Sequence, residues 1–477
     1  MSGPREECGI VAVVGPERAA EWAYLGLYAL QHRGQESSGI VSSDGLRAYA
    51  HRAMGLVADA FDESALASLP GTAAIGHNRY STTGSPTLAN AQPILVNYRE
   101  GFLAVAHNGN LTNARTLRRR LERSGSIFQS TMDTEVVVHL IAAERDASRD
   151  RALLNALDRI TGAYSLLILT PDGLYAARDP HGFRPLALGR RDGAIVVASE
   201  SCALDLLDVE LERELGPGEV LKVGLDGSTE TLRASPADAE CLCVFEQIYF
   251  ARPDSTLYGM SVDEARRRLG RELAREHPAD ADCVFAVPDS SNSAALGYAE
   301  ISGLPFELGL IRNHYVGRTF IQPGQAVRDF RVKVKYNPVS SVIRGKRVVV
   351  VDDSIVRGTT SKALVGLVRQ AGAAEVHLRV ASPPLRHPCY YGIDIPNRDE
   401  LIAANMTVPE IAAFVGADSL GYLSFEGLYR AVGAREQHCD ACMSGNYRVP
   451  LEPGIQEKTA FETPEPRARA PVEAPVA

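Results

Sequence analysis

The stretch "VVVVDDSIVRGTTS", residues 348–361, gives the clearest indication of fold in this chain. Four consecutive valines are typical of a strand buried on both faces, and they end at the carboxylates Asp352 and Asp353. Gly358 then precedes a Thr-Thr-Ser run that opens a helical pattern. Ligands of open α/β sheets bind at the carboxyl ends of the strands, and a helix N-terminus suits a phosphate. The stretch therefore predicts a parallel sheet with a phosphate-binding loop at its edge.

The acidic pair allows two kinds of ligand. Adjacent carboxylates suit vicinal ribose hydroxyls, or a magnesium ion shared with pyrophosphate. The loop lacks the Gly-Lys-Ser/Thr element of a Walker loop. The simpler alternative is a buried strand followed by an acidic turn and a threonine N-cap. A second stretch, "VPDSSNSA", ends another predicted strand and offers Asp289 and Ser290 as a further wall of the site.

The sequence around this loop alternates strand and helix patterns. "SVDEARRRLGRELAREH" has helical spacing and begins with a capping box from Ser261 to Glu264. "DCVFAVP" predicts the next strand, and "SAALGYAEISG" predicts a helix that ends at Gly303. Strand, helix and strand at this spacing predict βαβ units on a parallel sheet.

Residues 8–234 consist mainly of short strand patterns separated by turn residues. Helical patterns interrupt them near 19–31 and 133–146, which predicts a layered α+β domain. The polar stretch "DGSTETLRASPADAE" marks the boundary with the second domain. After Pro450 the chain is dominated by Glu, Pro, Ala and Arg, a composition that predicts a disordered tail.

Composition narrows the class of protein. At 477 residues the chain favours two domains. No stretch approaches the roughly 20 apolar residues of a membrane helix, so we expect no membrane partner. The net charge of −9 argues against nucleic-acid binding, which needs a basic surface. Eight cysteines are too few for a disulfide scaffold, and their use in catalysis or metal binding is favoured in a reducing compartment.

The first cysteine, Cys8, follows a leader that is too short and too polar to be a signal peptide. If the chain is cleaved after Glu7, the new α-amino group can act as the base for the Cys8 thiol, because its pKa is about 7.7–8.0. The alternative is that Cys8 is a small apolar residue in an edge strand.

Further motifs predict a pocket for glutamine. In "HNRYSTTG" we expect Arg79 and Tyr80 in a glycine-flanked loop, with Arg79 gripping an α-carboxylate. In "AHNGNLTN" we expect Asn108 and Gly109 to form an oxyanion hole. In "MDTE", Asp133 can pair with an α-ammonium group. The alternatives are a plain Asn-Gly turn and an aspartate N-cap.

Four other cysteines form a candidate metal site. Cys439 and Cys442 make a C-x-x-C motif, which taken alone indicates zinc, a redox pair or coincidence. With Cys243 and Cys389 they provide four thiolates, enough for Zn²⁺ or a [4Fe–4S] cluster. The spacing does not separate these metals.

The motifs of the first half resemble the N-terminal-nucleophile glutamine amidotransferases, or class II glutaminases. "CGIVAVVG", "LQHRGQESSGI", "GHNRYSTTG", "HNGNLTN" and "DTE" match in order. The stretch at 348–361 resembles the phosphoribosyl pyrophosphate (PRPP) loop of type I phosphoribosyltransferases. Joined, the two halves resemble the glutamine phosphoribosylpyrophosphate amidotransferase family, in its propeptide-bearing iron–sulfur subgroup, over about residues 1–448.

This resemblance implies the domain organisation. It implies a four-layer αββα glutaminase domain and an α/β phosphoribosyltransferase domain with a parallel sheet. The expected divisions are a propeptide at 1–7, the glutaminase domain at 8–235, the phosphoribosyltransferase domain with the metal-binding cysteines at 236–450 and the disordered tail at 451–477.

The resemblance also implies roles for individual residues. The expected catalytic residues are Cys8, Asn108 and Gly109. The expected glutamine-binding residues are Arg79, Tyr80 and Asp133. The expected PRPP-binding residues are Asp352, Asp353, Ser354, Gly358, Thr359, Thr360 and Ser361. One Mg²⁺ per subunit is expected on Ser290, Asp352 and Asp353, and a structural [4Fe–4S] cluster on Cys243, Cys389, Cys439 and Cys442. Cys202, Cys241 and Cys283 match no ligand position and are interpreted as structural.

The implied reaction transfers ammonia from glutamine to PRPP, giving phosphoribosylamine in the first committed step of purine synthesis. The resemblance implies a cytoplasmic homotetramer or homodimer that purine nucleotides inhibit, with a basic lid within residues 317–338. Two other functions share part of these features. A hexosamine-forming amidotransferase shares the glutaminase half but should lack the stretch at 348–361. A non-catalytic PRPP-sensing regulator would not need the glutaminase half.

Overall fold

The structure, a computed structural model, describes residues 8–80, 85–236, 240–313 and 334–452. The predicted propeptide, all but the last residues of the predicted lid and nearly all of the predicted tail lie outside these residues. In the described part of the chain, no helix is both long enough and apolar enough to cross a membrane.

Two antiparallel sheets form the first unit. The seven-stranded sheet runs, from edge to edge, through Glu210–Glu214, Ala187–Arg191, Ala194–Ala198, Gly9–Val14, Ala73–Arg79, Ser37–Ser43 and Ala48–Met54. The six-stranded sheet runs through Thr229–Arg233, Val220–Gly224, Gly173–Arg178, Gly162–Thr170, Gly101–Leu111 and Ile94–Tyr98.

An apolar layer joins the two sheets. Ile10, Ala12 and Val14 of one sheet share a buried cluster with Ala104 and Leu167 of the other. Helices cover the opposite face of each sheet, so the expected four αββα layers are confirmed. The helices on the seven-stranded sheet are Ala19–Ala29, Val57–Ala60, Glu63–Ala67 and Cys202–Leu206. Those on the six-stranded sheet are Ala114–Arg123, Thr134–Ala143 and Arg149–Leu157.

The second unit is built on a parallel sheet, as predicted. Its strands, in spatial order, are Cys283–Ala286, Arg347–Asp352, Glu375–Val380 and Ser419–Tyr422. The four valines of the second strand alternate between two buried clusters. Val349 and Val351 belong to one face, and Val348 and Val350 to the other. This sandwiched position explains the unbroken apolar run.

Helices and short ladders complete this unit. The α-helices are Val262–Glu276, Asn292–Ser302, Ser340–Ile343, Thr359–Gln370, Ile402–Asn405, Val408–Val415, Phe425–Val432 and Ala441–Ser444. A π-helix spans Glu246–Phe250, and 3₁₀ turns span Leu88–Asn90 in the first unit and Arg398–Glu400 and Arg435–Gln437 in the second. The two-stranded pairs are Leu242–Cys243 with His438–Cys439, Thr256–Leu257 with Met260–Ser261, and Leu310–Arg312 with Tyr336–Pro338.

The predicted capping box is only half formed. The hydroxyl of Ser261 accepts a hydrogen bond from the amide of Glu264 at 3.5 Å. The Glu264 carboxylate instead accepts from Arg268 at 2.9 Å and Arg271 at 3.1 Å. Side-chain pairing along the helix therefore competes with the cap. The next predicted helix ends at Gly303 with a left-handed backbone (φ +73°), as expected.

The crossing of two helices in this unit depends on glycine. A Cβ at Gly270 would lie 1.8 Å from the carbonyl oxygen of Ala294. We predict that Gly270→Ala lowers the unfolding free energy by about 1–3 kcal/mol or more, because the helices must separate. The measurement is the apparent Tm from calorimetry.

The matched control is Gly366→Ala in the helix Thr359–Gln370, where a Cβ meets no heavy atom of the described residues within 4 Å. This control should gain about 0.5–1 kcal/mol from helix propensity. Equal Tm values for the two variants would contradict the close helix contact.

Candidate functional site

Cys8 lies directly before the strand Gly9–Val14, which pairs with strands on both sides. The edge-strand alternative is therefore wrong. The thiol is buried and donates a hydrogen bond to the carbonyl oxygen of Tyr80 at 3.5 Å. Burial raises its pKa to about 11, against a smaller lowering by the Tyr80 contact and by Arg79. Near neutral pH the thiol is therefore protonated, and a nucleophilic role requires a base.

Arg79 is the last residue of the strand Ala73–Arg79, paired with Ser37, and not part of a loop as expected. The strand pairing extends further because the buried sheet needs its backbone partners. The guanidinium donates to the carbonyl oxygen of Ser85 at 3.1 Å. The hydroxyl of the following Tyr80 donates to Asp394 of the second unit at 3.3 Å. Of the "HNRYSTTG" motif, residues 81–84 lie outside the described chain.

Asn108 and Gly109 lie inside the strand Gly101–Leu111, opposite Ser165 and Tyr164. The plain-turn alternative is therefore wrong. The Asn108 side chain is buried, and its Nδ2 has no hydrogen-bond partner among the described residues. A buried donor left unpaired costs about 1–3 kcal/mol, so this amide is available to an acceptor.

The backbone conformation and the close packing at position 109 require glycine. Its φ is +144°, and a Cβ would lie 2.1 Å from the carbonyl oxygen of Ala163. The neighbouring His107 links the two sheets, because its carbonyl oxygen pairs with Nε2 of His77 at 3.0 Å. Asn108 and Gly109 thus lie on a strand fixed to the one that ends at Arg79.

Asp133 precedes the helix Thr134–Ala143 and caps it, accepting from the Thr134 amide at 2.9 Å. Its other carboxylate oxygen accepts from the Leu111 amide at 2.9 Å and lies 3.7 Å from Nδ1 of His107. The N-cap interpretation therefore holds. The same contacts also bring this carboxylate to the strand that carries Asn108 and Gly109.

The acidic pair lies at the carboxyl end of its strand, as predicted. Ser290 donates to Asp353 at 2.5 Å, and Ser354 donates to the same carboxylate at 2.7 Å. The Asp353 amide donates to Asp352 at 3.0 Å. Asp289, the other expected wall residue, pairs instead with Arg312 at 2.7 Å.

Both carboxylates resist ionisation. Burial, followed by repulsion from Asp353, holds the pKa of Asp352 well above its usual range. Burial also raises the pKa of Asp353, although hydrogen bonds from neighbouring serines lower it in part. A cation at this place would remove the cost of ionisation, so the chemistry of the pair suits a divalent metal.

The phosphate loop follows this pair. Gly358 is the N-cap of the helix Thr359–Gln370 (φ +72°), so the threonine N-cap alternative is wrong. A Cβ there would lie 2.5 Å from Ile402 Cδ1. No side chain of the described residues caps this helix, so the amides of Thr359, Thr360 and Ser361 form an open first turn. Such a turn binds anions.

The four predicted metal-binding cysteines converge. Cys243 and Cys439 are register partners in a parallel two-stranded pair, and Cys442 follows in a short helix. All four, including Cys389, line one cavity together with Arg184 and Tyr391. Burial raises the pKa of Cys389 to about 11, and burial with the surrounding thiols raises that of Cys442. Four thiols around one cavity are a suitable donor set for a metal, and the metal would displace the thiol protons.

Four charged residues at the junction of the two units were missed by sequence reasoning. Arg33, Arg184, Glu200 and Glu246 have no exposed side-chain surface and pair with one another. The available signal was a charged residue inside an apolar stretch, as in "CVFEQIYF". That pattern does not identify a partner far along the chain.

Comparisons with known proteins identify the family of the chain. A family model described as a glutamine amidotransferase domain matches residues 77–206. Amidophosphoribosyltransferase 2 of Arabidopsis thaliana is 53% identical over 463 residues, covering 96% of this chain and 82% of the relative. The chain belongs to the amidophosphoribosyltransferase family.

Solved structures support this assignment of family and fold. The allosteric regulatory enzyme of purine biosynthesis superimposes with a TM-score of 0.90 at 46% identity, covering 95% of this chain and 99% of that chain. The glutamine PRPP amidotransferase from B. subtilis, solved with ADP and GMP, superimposes with a TM-score of 0.88 at 46% identity. The match covers 93% of this chain and 98% of that chain. As a member of the amidophosphoribosyltransferase family the chain is an enzyme, a glycosyltransferase.

The raised pKa of Asp352 predicts a pH-dependent stability for this amidophosphoribosyltransferase. A carboxyl group whose pKa is raised by folding stabilises the protein below the unfolded pKa of about 3.9 and costs stability as pH rises above it. We therefore predict that Asp352→Asn raises the apparent Tm by about 2 °C or more near pH 7.5 without divalent cations, and that the gain shrinks towards pH 4.5.

The control is Asp418→Asn, for which we expect a change in Tm of the opposite sign. Burial alone would raise the pKa of Asp418, but hydrogen bonds from the Val376 amide and from Arg369 together hold it below its usual range. This variant should lower the Tm at pH 7.5. A lower Tm for Asp352→Asn at that pH would contradict the buried acidic pair.

Proposed function

We propose that this enzyme hydrolyses glutamine at Cys8 and transfers the ammonia to PRPP, giving 5-phosphoribosylamine, glutamate and pyrophosphate. This is the first committed step of purine nucleotide synthesis in the family. The observation that best supports the proposal is the buried, unpaired Nδ2 of Asn108, since it is a donor without an acceptor in the described chain. An oxyanion would be that acceptor.

In the first half-reaction, the base is the α-amino group of Cys8, freed by removal of residues 1–7. This base is needed because burial raises the pKa of the thiol to about 11. The sulfur attacks the glutamine amide carbon, and Asn108 Nδ2 with the Gly109 amide stabilises the oxyanion. The C–N bond breaks, ammonia leaves with the transferred proton, and water then hydrolyses the glutamyl thioester.

Three further residues orient glutamine in this proposal. The guanidinium of Arg79 pairs with the α-carboxylate, and Asp133 accepts from the α-ammonium group. Support for the second role comes from the contacts of Asp133 with Leu111 and His107, which place its carboxylate beside the Asn108 strand. Tyr80 closes the pocket next to Cys8. Its carbonyl oxygen accepts a hydrogen bond from the Cys8 thiol.

In the second half-reaction, ammonia attacks C1 of PRPP and pyrophosphate leaves. Ser290, Asp352 and Asp353 would hold one Mg²⁺, which when bound neutralises the pyrophosphate charge. The open turn Thr359–Ser361 binds the 5′-phosphate, and Gly358 keeps the backbone accessible to it. Ser354 holds Asp353 in place through its hydroxyl.

We further propose that Cys243, Cys389, Cys439 and Cys442 hold a structural [4Fe–4S] cluster. Their shared cavity and neutral, buried thiols support a metal that requires thiolate ligands. We also propose a cytoplasmic location, since none of the eight cysteines forms a disulfide in this structure. A homotetramer or homodimer inhibited by purine nucleotides is proposed from the family resemblance and the ADP and GMP complex of the B. subtilis relative.

The nucleophile is tested by Cys8→Ala. We predict that glutamine-dependent synthesis falls by at least about 10³-fold, because no other group can form the thioester. Ammonia-dependent synthesis should stay within about twofold, since the second site binds PRPP without the thiol. Both rates are measured on the same preparation by pyrophosphate release.

The complementary control, which impairs the PRPP site instead, combines Asp352→Asn with Asp353→Asn. It should lower kcat/KM for PRPP by about 10²-fold or more while glutamine hydrolysis continues. Loss of both activities in a folded Cys8→Ala protein would contradict two separate sites.

Metal analysis tests the cysteine site. Anaerobic purification should yield about four irons and four acid-labile sulfides per chain. Cys442→Ser should remove them, whereas Cys283→Ala, in a buried strand away from the cavity, should retain them. One zinc without sulfide would refute the cluster.

A further inference from the structure

The buried charged side chains at the junction of the two units form a chain of contacts that begins at the nucleophile, Cys8. Nε of Arg33 donates to the carbonyl oxygen of Cys8 at 3.3 Å. The Nη atoms of Arg33 donate to both oxygens of Glu246, at 2.6 Å and 3.1 Å. Arg33 also pairs with Glu200. A residue of the second unit, Glu246, thus fixes the side chain that contacts the backbone of Cys8.

The chain continues to the cysteine site. Nη1 of Arg184 lies 3.3 Å from the same carboxylate of Glu246. Nε and Nη2 of Arg184 donate to the carbonyl oxygen of Tyr391 at 3.0 Å and 2.8 Å. Arg184 and Tyr391 both line the cavity that contains Cys243, Cys389, Cys439 and Cys442.

The charges in this chain depend on one another. The two arginines and the two glutamates Glu200 and Glu246 balance in charge, and none of the four side chains is exposed. Removing one partner from such a set leaves an uncompensated buried charge, which is strongly destabilising locally. A bidentate arginine–carboxylate contact also fixes direction, so a shift of Glu246 moves the Arg33 guanidinium.

We propose that Glu246 is a positioning residue for the glutaminase reaction, and that Arg184 makes its position depend on the metal occupancy of the cysteine site. This inference rests on the proposed function, because it takes Cys8 to be the nucleophile. The chain Arg33–Glu246–Arg184 holds the Cys8 backbone in its reactive place when the cysteine site is filled. Loss of the metal loosens Arg184 and, through Glu246, the contact of Arg33 with Cys8.

The first test is Glu246→Gln in the full-length enzyme. Cys8 reactivity is followed as the rate of alkylation by 6-diazo-5-oxonorleucine, a glutamine analogue, measured by intact mass. The labelling rate and the kcat for glutamine should fall about tenfold or more, since a 1 Å misplacement can cost about 10²-fold. KM for glutamine, iron content and ammonia-dependent synthesis should each stay within about twofold.

The matched control is Glu272→Gln, which removes a nearly buried carboxylate of the same unit that pairs with Arg430 at 2.6 Å. It should label at the wild-type rate. Glu246→Asp, which keeps the charge, should recover part of the lost rate and carries the test if Glu246→Gln does not fold. Wild-type labelling by both Glu246 variants, or an equal loss in the control, would overturn the positioning role.

The second test asks whether the metal acts through this chain. Cys442→Ser should lose iron and slow the labelling of Cys8 about fivefold or more; in a Glu246→Gln background it should change the rate by less than about twofold. If Cys442→Ser does not fold, chelation of iron from the oxidised wild-type and Glu246→Gln enzymes gives the same comparison. An equal factor in both backgrounds would overturn the coupling.

The site of labelling separates this inference from the proposed function. Attachment of the analogue to a residue other than Cys8 would refute the proposed nucleophile. Attachment to Cys8 at an unchanged rate would refute only the role of Glu246.

Discussion

Buried charge pairs that centre on Glu246 cross the junction of the two units. Glu246 of the second unit neutralises Arg33 and Arg184 of the first. Glu200 of the first unit accepts from the Arg252 amide and the Ser255 hydroxyl of the second, at 2.9 Å and 2.7 Å. Separation of the units would remove Glu246 from both arginines, whereas Arg33 would keep its pair with Glu200 of the same unit. These directional contacts contribute to the relative placement of the two sites.

Each site contains groups whose ordinary ionisation is suppressed. Burial raises the pKa of the Cys8 thiol, so sulfur becomes nucleophilic only with a base beside it. Burial raises the pKa of both Asp352 and Asp353, and repulsion from Asp353 raises that of Asp352 further, so a cation beside the pair would favour its ionised form. The Nδ2 of Asn108 is also unpaired in the described chain. Perturbed ionisation and an unpaired buried donor are the pattern expected of functional sites.

Much of this architecture could be predicted from local sequence. The valine run at 348–351 predicts its own burial on both faces, and the residues after it predict an anion-binding turn, because both features depend on near neighbours. The family resemblance, and not residue type, separated Cys243, Cys389, Cys439 and Cys442 from the other four cysteines. The sequence did not predict that Arg79 continues a strand, because strand length depends on the partner Ser37. Nor did it predict the pairing of Arg33 with Glu246, which lie 213 residues apart and meet only when the units dock.

In the proposed reaction, Cys8 is an N-terminal nucleophile whose own amine removes the thiol proton. The most direct measurement is the intact mass and N-terminal sequence of the purified, active enzyme. We predict an active chain that starts at Cys8. An active chain that still carries residues 1–7 would contradict it, because the amine would then be an amide and could not accept the proton.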